Sequence, residues 1–172
     1  MKQQLLVSFG ATAALALAAC TQAPDQAQVQ RDVEKAQAEG QKKVADAKAK
    51  LDQVNAENRR DIVETRVDNA AAATNNANTT PSATAEPGTP ANARANKEMA
   101  DARENAAKKT ADAQFGVDKA SAEAKYDVAL VRCKAQTGSA EKSCKDSAKS
   151  TYDLEINQAK VRSNAANQNQ RG

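Results

Sequence analysis

The chain has 172 residues, of which 40% are hydrophobic, 27% charged and 2% aromatic, with no Trp or His and a mean hydropathy of -0.75. Most of the hydrophobic share is alanine, which favours helix but buries a single methyl, so a large core is excluded and long thin helices are expected. The 25 basic and 22 acidic residues leave a net charge of +3 and are finely interleaved, which excludes the clustered basic face and aromatic platforms of a nucleic-acid binder.

The first twenty residues, MKQQLLVSFGATAALALAAC, carry one cation at Lys2 and then an apolar run from Leu5 to Ala19. This order is that of a secretory signal peptide, here 1–19, and the run falls short of the ~20 residues that span a bilayer. Leu17-Ala18-Ala19-Cys20 resembles the lipobox of bacterial lipoproteins. The resemblance implies cleavage before Cys20, a diacylglyceryl group on its sulfur and, in Gram-negative bacteria, a third acyl chain on the new amino terminus. At ~0.8 kcal/mol per buried CH₂, two or three chains hold a protein stably at a membrane. In enterobacterial lipoproteins an aspartate after the anchor retains the protein in the inner membrane. Thr21 at that place implies the outer membrane, with the chain facing the periplasm.

After a tether, 20–25, that contains Pro24, residues 26–69 read as one helix with no Pro and a single interior glycine, Gly40. Val29, Gly40, Leu51 and Ile62 recur at intervals of eleven, and Val33 and Val44 repeat the step. Eleven residues make 3.67 per turn, which keeps one narrow stripe nearly straight along a helix. Asn55, Asn58 and Arg66 read as breaks in that stripe. With no aromatic on it the stripe is a poor membrane-lying face, and weak helical self-association as a loose coiled coil is the better expectation. The segment's composition also resembles the eleven-residue repeats of late-embryogenesis-abundant proteins. That resemblance implies an alternative function, a stress or surface-protective helical lipoprotein without a defined partner.

Residues 70–96, with Pro81, Pro87, Pro90 and Gly88 among many Asn and Thr, read as a disordered, flexible linker. From 97 the helical pattern resumes: Met99, Ala102, Ala106, Ala113, Val117, Ala120, Ala124, Val128, Val131 and Ala135 form one Ala-rich seam. Thr137-Gly138-Ser139 interrupts it, with Gly138 expected past a helix end and Ser139 as the next N-cap. A second arm carries Cys144, Ala148, Tyr152, Ile156 and Ala159, so 97–162 is expected to be a helical hairpin turning at 137–139. Residues 163–172 read as a polar tail.

Cys133 and Cys144 flank that turn symmetrically. On one straight helix they would lie ~16 Å apart, whereas a disulfide needs Cα atoms at ~4.4 to 6.8 Å, so a bridge requires the chain to reverse. Tyr126 and Tyr152 fall near the same symmetry and could pack across the hairpin. With Cys20 lipidated, the other two cysteines form an even pair in an oxidising compartment, which favours a structural disulfide. A zinc site, with no His and no Cys-x-x-Cys, and a redox centre, with ten residues between the cysteines, are the weaker readings. The arrangement Tyr126, Cys133, Gly138, Cys144, Ala148, Lys149 resembles a segment of small Ala-rich, TolA-like envelope proteins of proteobacteria, a resemblance that fixes no activity.

The fold class expected is therefore all-α and elongated, a long helix and a stapled antiparallel hairpin. No catalytic, cofactor-binding or metal residues are expected, because solvated carboxylates without a pocket have nothing to shift their pKa. The function expected is that of a lipid-anchored structural or tethering module of the cell envelope, held through Cys20, with peptidoglycan or an envelope protein as partner. The small major outer-membrane lipoprotein attaches to peptidoglycan through a C-terminal lysine; this chain ends Gln170-Arg171-Gly172, so that route is not expected.

Overall fold

The computed structural model describes residues 25–79 and 90–168. The signal peptide, Cys20 with residues 21–24 of the tether, the stretch 80–89 and the last four residues of the polar tail lie outside the described residues. The described chain is all helical: α1 spans Gln26–Thr79, α2 spans Pro90–Cys133 and α3 spans Ser139–Gln168. At ~1.5 Å per residue the 54 residues of α1 extend about 80 Å, so the molecule is elongated, as its composition implies.

Local signals set the helix ends. Asp25 caps α1: its carboxylate accepts from Ala27 N–H at 3.0 Å, and its carbonyl accepts the first helical bond, from Val29, at 3.0 Å. α1 then runs ten residues into the segment expected to be linker. The four alanines 70–73 are the best helix formers, and no proline follows before Pro81. α2 likewise begins at Pro90, seven residues before the expected start, because proline at a first helical position gives up an N–H that has no helical partner anyway. α3 continues to Gln168 through the first six residues of the expected polar tail, where no Gly or Pro stops it.

α2 packs against both α1 and α3, whereas α1 and α3 do not pack on one another among the described residues. Two rows on opposite sides of α2 account for this. One contains Ala95, Ala106, Val117 and Ala124 and meets α1; the other contains Ala122, Tyr126 and Cys133 and meets α3. Ala122 and Ala124 are two residues apart and so about 200° around the helix. The fold is a flat layer of three antiparallel helices with α2 in the middle. Of the expected Ala-rich seam, Ala106 and Ala124 meet α1, whereas Val128 lines the groove beside α3.

The eleven-residue stripe of α1 is covered by α2 of the same chain. Val29, Val33, Val44, Leu51 and Ile62 are half-buried and Gly40 is buried. Of the three expected breaks only Arg66 is exposed. Asn58, 5% exposed, donates through Nδ2 to the Ala106 carbonyl at 2.7 Å and to Thr110 Oγ1 at 3.0 Å, and the Thr110 hydroxyl donates to Asn55 Oδ1 at 3.1 Å. Asn69 Nδ2 reaches the Ala95 carbonyl at 3.2 Å. The asparagines are interhelical contacts, not interruptions.

Asn58 Oδ1 is buried without a hydrogen-bond partner, so the network is incomplete. In an incomplete network the desolvation cost of the orphaned oxygen offsets much of what the hydrogen bonds contribute. Asn58→Ala should therefore cost only about 1 kcal/mol in urea denaturation. Asn58→Leu, which removes the orphaned oxygen and refills the volume, should cost less than the alanine variant.

These contacts define one register. Eighteen residues separate Gly40 from Asn58 and eighteen separate Ala106 from Ala124; eleven separate Asn58 from Asn69 and eleven separate Ala95 from Ala106. Each step along α1 is matched by an equal step back along α2. Ion pairs flank the seam on the same register, Lys43 with Asp127 at 2.9 Å and Lys109 with Asp61 at 3.1 Å.

Candidate functional site

The only chemistry-bearing pair that the sequence singled out within the described residues lies at the α2–α3 turn. α2 ends at Cys133, and three further N–H groups, of Lys134, Ala135 and Gln136, donate to carbonyls three residues back at 3.0 to 3.1 Å. These tight turns carry the chain across the top of the layer. Gly138 then adopts φ 63°, a left-handed conformation that glycine enters without a Cβ penalty. Its carbonyl accepts from Lys142 N–H at 3.3 Å, so Gly138 holds the N-cap position expected for Ser139, and Ser139 is the first residue of α3. The connection occupies residues 134–138, longer than the three-residue turn expected.

This reversal brings Cys133 and Cys144 to a Cα–Cα distance of 5.5 Å, and they form a disulfide. Tyr126 and Tyr152 meet one step further from the turn, with ring centroids 5.1 Å apart and planes tilted by 31°. Beyond them Lys125 pairs with Glu155 at 2.9 Å, and Arg162 pairs with Asp118 through Nη2 at 2.8 Å and Nε at 3.2 Å. Exposed pairs of this kind contribute little each, so the hairpin rests on small buried groups, Ala122 and Ala159 at 2% exposure, together with the disulfide.

A shallow groove of about 670 Å³ follows the joint between the two arms. Ala122, Ala129, Ala148 and the tyrosine pair give it apolar surface, and Arg132, Gln136, Ser143, Ser147 and Thr151 add polar groups along it. A smaller hollow of about 430 Å³ lies beside the α1–α2 seam near Asp61 and Lys109. No group of three or more Cys, Asp or Glu among the described residues could hold a metal ion. Likewise, no described helix is long and apolar enough to cross a membrane.

Two lysines titrate above their ordinary range. A hydrogen bond to Asp127, and then that carboxylate's charge, raises Lys43; the same two causes from Asp153 raise Lys149. A lysine raised in the folded state contributes stability that is complete below its unfolded pKa and is lost as pH rises through the folded value. Both ammonium groups are solvent-exposed, so the effect is small. Urea titrations on either side of the lysine range should show an alkaline loss of stability, and Asp127→Asn should reduce it.

Cys20, the expected lipidation site, lies outside the described residues. The asparagines and Gly40 are the residues that reading the sequence left without a role. Their signal was present, since Asn58 and Asn69 share the eleven-residue step with the apolar positions. No protein-family model, no curated protein and no solved structure matches the chain.

Proposed function

We propose that this protein is a lipid-anchored spacer of the bacterial cell envelope, a non-enzymatic rod fixed to the outer membrane through Cys20 that stands in the periplasm. The observation that carries the reading is the register of α1 on α2. Gln26 lies fourteen residues before Gly40, and Gly138 lies fourteen residues after Ala124, so the start of α1 and the stapled turn share one end of the layer. A chain acylated at Cys20 would therefore hold the disulfide tip beside the membrane. The far ends of α1 and α2 would stand about 80 Å away, at ~1.5 Å per residue over 54 residues. Tethering raises the effective concentration of that distal end near a partner such as peptidoglycan or an envelope protein, with no new contact required.

A single register of α1 on α2, set by the close approach of Gly40 to Ala124, also favours a defined rod over a stress-protective coat, whose helices need no fixed partner. Metabolic labelling with a fatty-acid analogue tests the anchor. The protein should take up label and partition with membranes, and Cys20→Ala should do neither; uptake by the Cys20→Ala chain would overturn the reading. For the partner, photo-cross-linkers at Val63 and Val67, both 59% exposed toward the distal end, should capture more envelope material than one at Gln136.

A further inference from the structure

The two cysteines of the disulfide sit in unlike surroundings. Cys133 is 0% exposed and, among the described residues, is the only one whose side chain is so fully enclosed, sealed between α2 and α3 in the row that also holds Ala122. Both cysteines border the groove between the arms, but only Cys144, which is half-buried, retains solvent-accessible surface there beside Ala140, Ser143 and Ser147. Thiol–disulfide exchange needs a thiolate to approach the attacked sulfur, so access decides which sulfur reacts.

From this asymmetry we infer that Cys144 Sγ is the exchange site of this protein, the sulfur at which an incoming thiol, such as the active-site thiolate of a dithiol oxidoreductase, enters and leaves the disulfide. In the reductive direction the thiolate attacks Cys144 Sγ, a new S–S bond forms to it, and the Cys133–Cys144 bond breaks. Its electron pair departs on Cys133 Sγ, which takes a proton. In the oxidative direction Cys144 is the first thiol to form the mixed disulfide with the oxidant. Cys133 then displaces the carrier thiolate from within the closing hairpin. Cys133 is the resolving residue.

Electrostatics pulls the other way. Cys133 is the last residue of α2, where the helix dipole disfavours a leaving thiolate, and Cys144 lies nearer the start of α3, where a thiolate is favoured. That effect is ordinarily worth about fivefold or less and fades beyond the first helical turn, and Cys144 is the sixth residue of α3. Enclosure acts more strongly, since attack at Cys133 must wait for the two arms to part. Access therefore outweighs the dipole.

The test uses the oxidised chain with Cys20→Ala, so that the pair is alone. It is incubated briefly with reduced glutathione, quenched with an alkylating agent and cleaved after acidic residues; Glu141 lies between the cysteines and places them in separate peptides. Glutathione should be found on Cys144 in at least about tenfold excess over Cys133 in native buffer, and in comparable amounts in concentrated urea. Equal or greater labelling of Cys133 in native buffer overturns the assignment. Where re-closure outruns the quench, Cys133→Ala and Cys144→Ala are each reacted with a chromogenic disulfide, native and in urea. The remaining Cys144 should react near its unfolded rate and the remaining Cys133 at least about tenfold below its own. Equal protection in the two variants, or none in either, also overturns it.

Discussion

Removing the Cys133–Cys144 bridge should lower the free energy of unfolding by about 3 kcal/mol, the chain-entropy value for a ring of this size. The change to make is the double variant Cys133→Ala with Cys144→Ala, because a serine hydroxyl at the fully enclosed Cys133 would add a buried polar group of its own. For a chain whose buried hydrophobic residues, among those described, are four alanines, a valine and this cysteine, 3 kcal/mol is a large share of a total that is ordinarily about 5–15 kcal/mol. The loss should also be local. Among the described residues α3 packs only on α2, through Ala159, the tyrosine pair and two ion pairs, whereas α1 has its own seam along most of α2. Urea denaturation followed by circular dichroism gives the magnitude, and hydrogen exchange gives the place. Amides of α3 should lose protection in the double variant while those of α1 near Gly40 and Asn58 keep theirs. Equal loss in both helices would mean that the layer unfolds as one unit and that the bridge stabilises α1 as well.

The parts of this fold that could be read in the sequence are those carried by local or symmetric signals. Alanine content and the eleven-residue step declare long helices, and two cysteines placed evenly about Thr137-Gly138-Ser139 declare a reversal. Tyr126 and Tyr152 follow from the same symmetry. The parts that could not be read depend on what stands opposite. Asn58 looks like a flaw in an apolar stripe until the Ala106 carbonyl and Thr110 are set against it. Gly40 looks like a weak point in a helix until Ala124 comes within reach. α2 hid its architecture for another reason: with small residues on two opposite sides, no single face stands out, and the rows through Ala106 and Ala122 merge into a general richness in alanine. The helix ends at 79 and 90 depend on residues nearer to them than the prolines at 81 and 87. Pro90 is compatible with a first helical turn, and residues 70–73 are helix formers whatever lies ten residues on.

The two glycines inside helices should respond oppositely to the same substitution. Gly116 is exposed and a Cβ there would meet nothing within 4 Å, so Gly116→Ala should gain about 1 kcal/mol from helix propensity alone. At Gly40 the same gain is opposed by a collision: the new Cβ would lie 2.6 Å from Ala124 Cβ and 3.2 Å from Ala124 Cα, atoms fixed to the backbone of α2. Overpacking of that kind costs about 1–3 kcal/mol and the propensity gain offsets about 1 kcal/mol of it, so Gly40→Ala should be destabilising by up to about 2 kcal/mol. The consequence reaches beyond stability. An eleven-residue repeat lets α1 slide along α2 by eleven residues, about 16 Å, and lay the stripe on itself again. After such a slip Val29 or Leu51 would stand opposite Ala124, and neither side chain fits where a single methyl already collides. Asn69 could stand in for Asn58, so the asparagines alone do not forbid the slip; Gly40 does. Zero-length cross-linking reads the register directly, because Lys43 bonds Asp127 and Lys109 bonds Asp61. Both links should form in the unaltered chain, and in Gly40→Leu both should fall together as the helices separate or shift. If the two links survive Gly40→Leu undiminished, the close approach at Ala124 does not set the register, and the long flat layer is held in place by its ion pairs and asparagines instead.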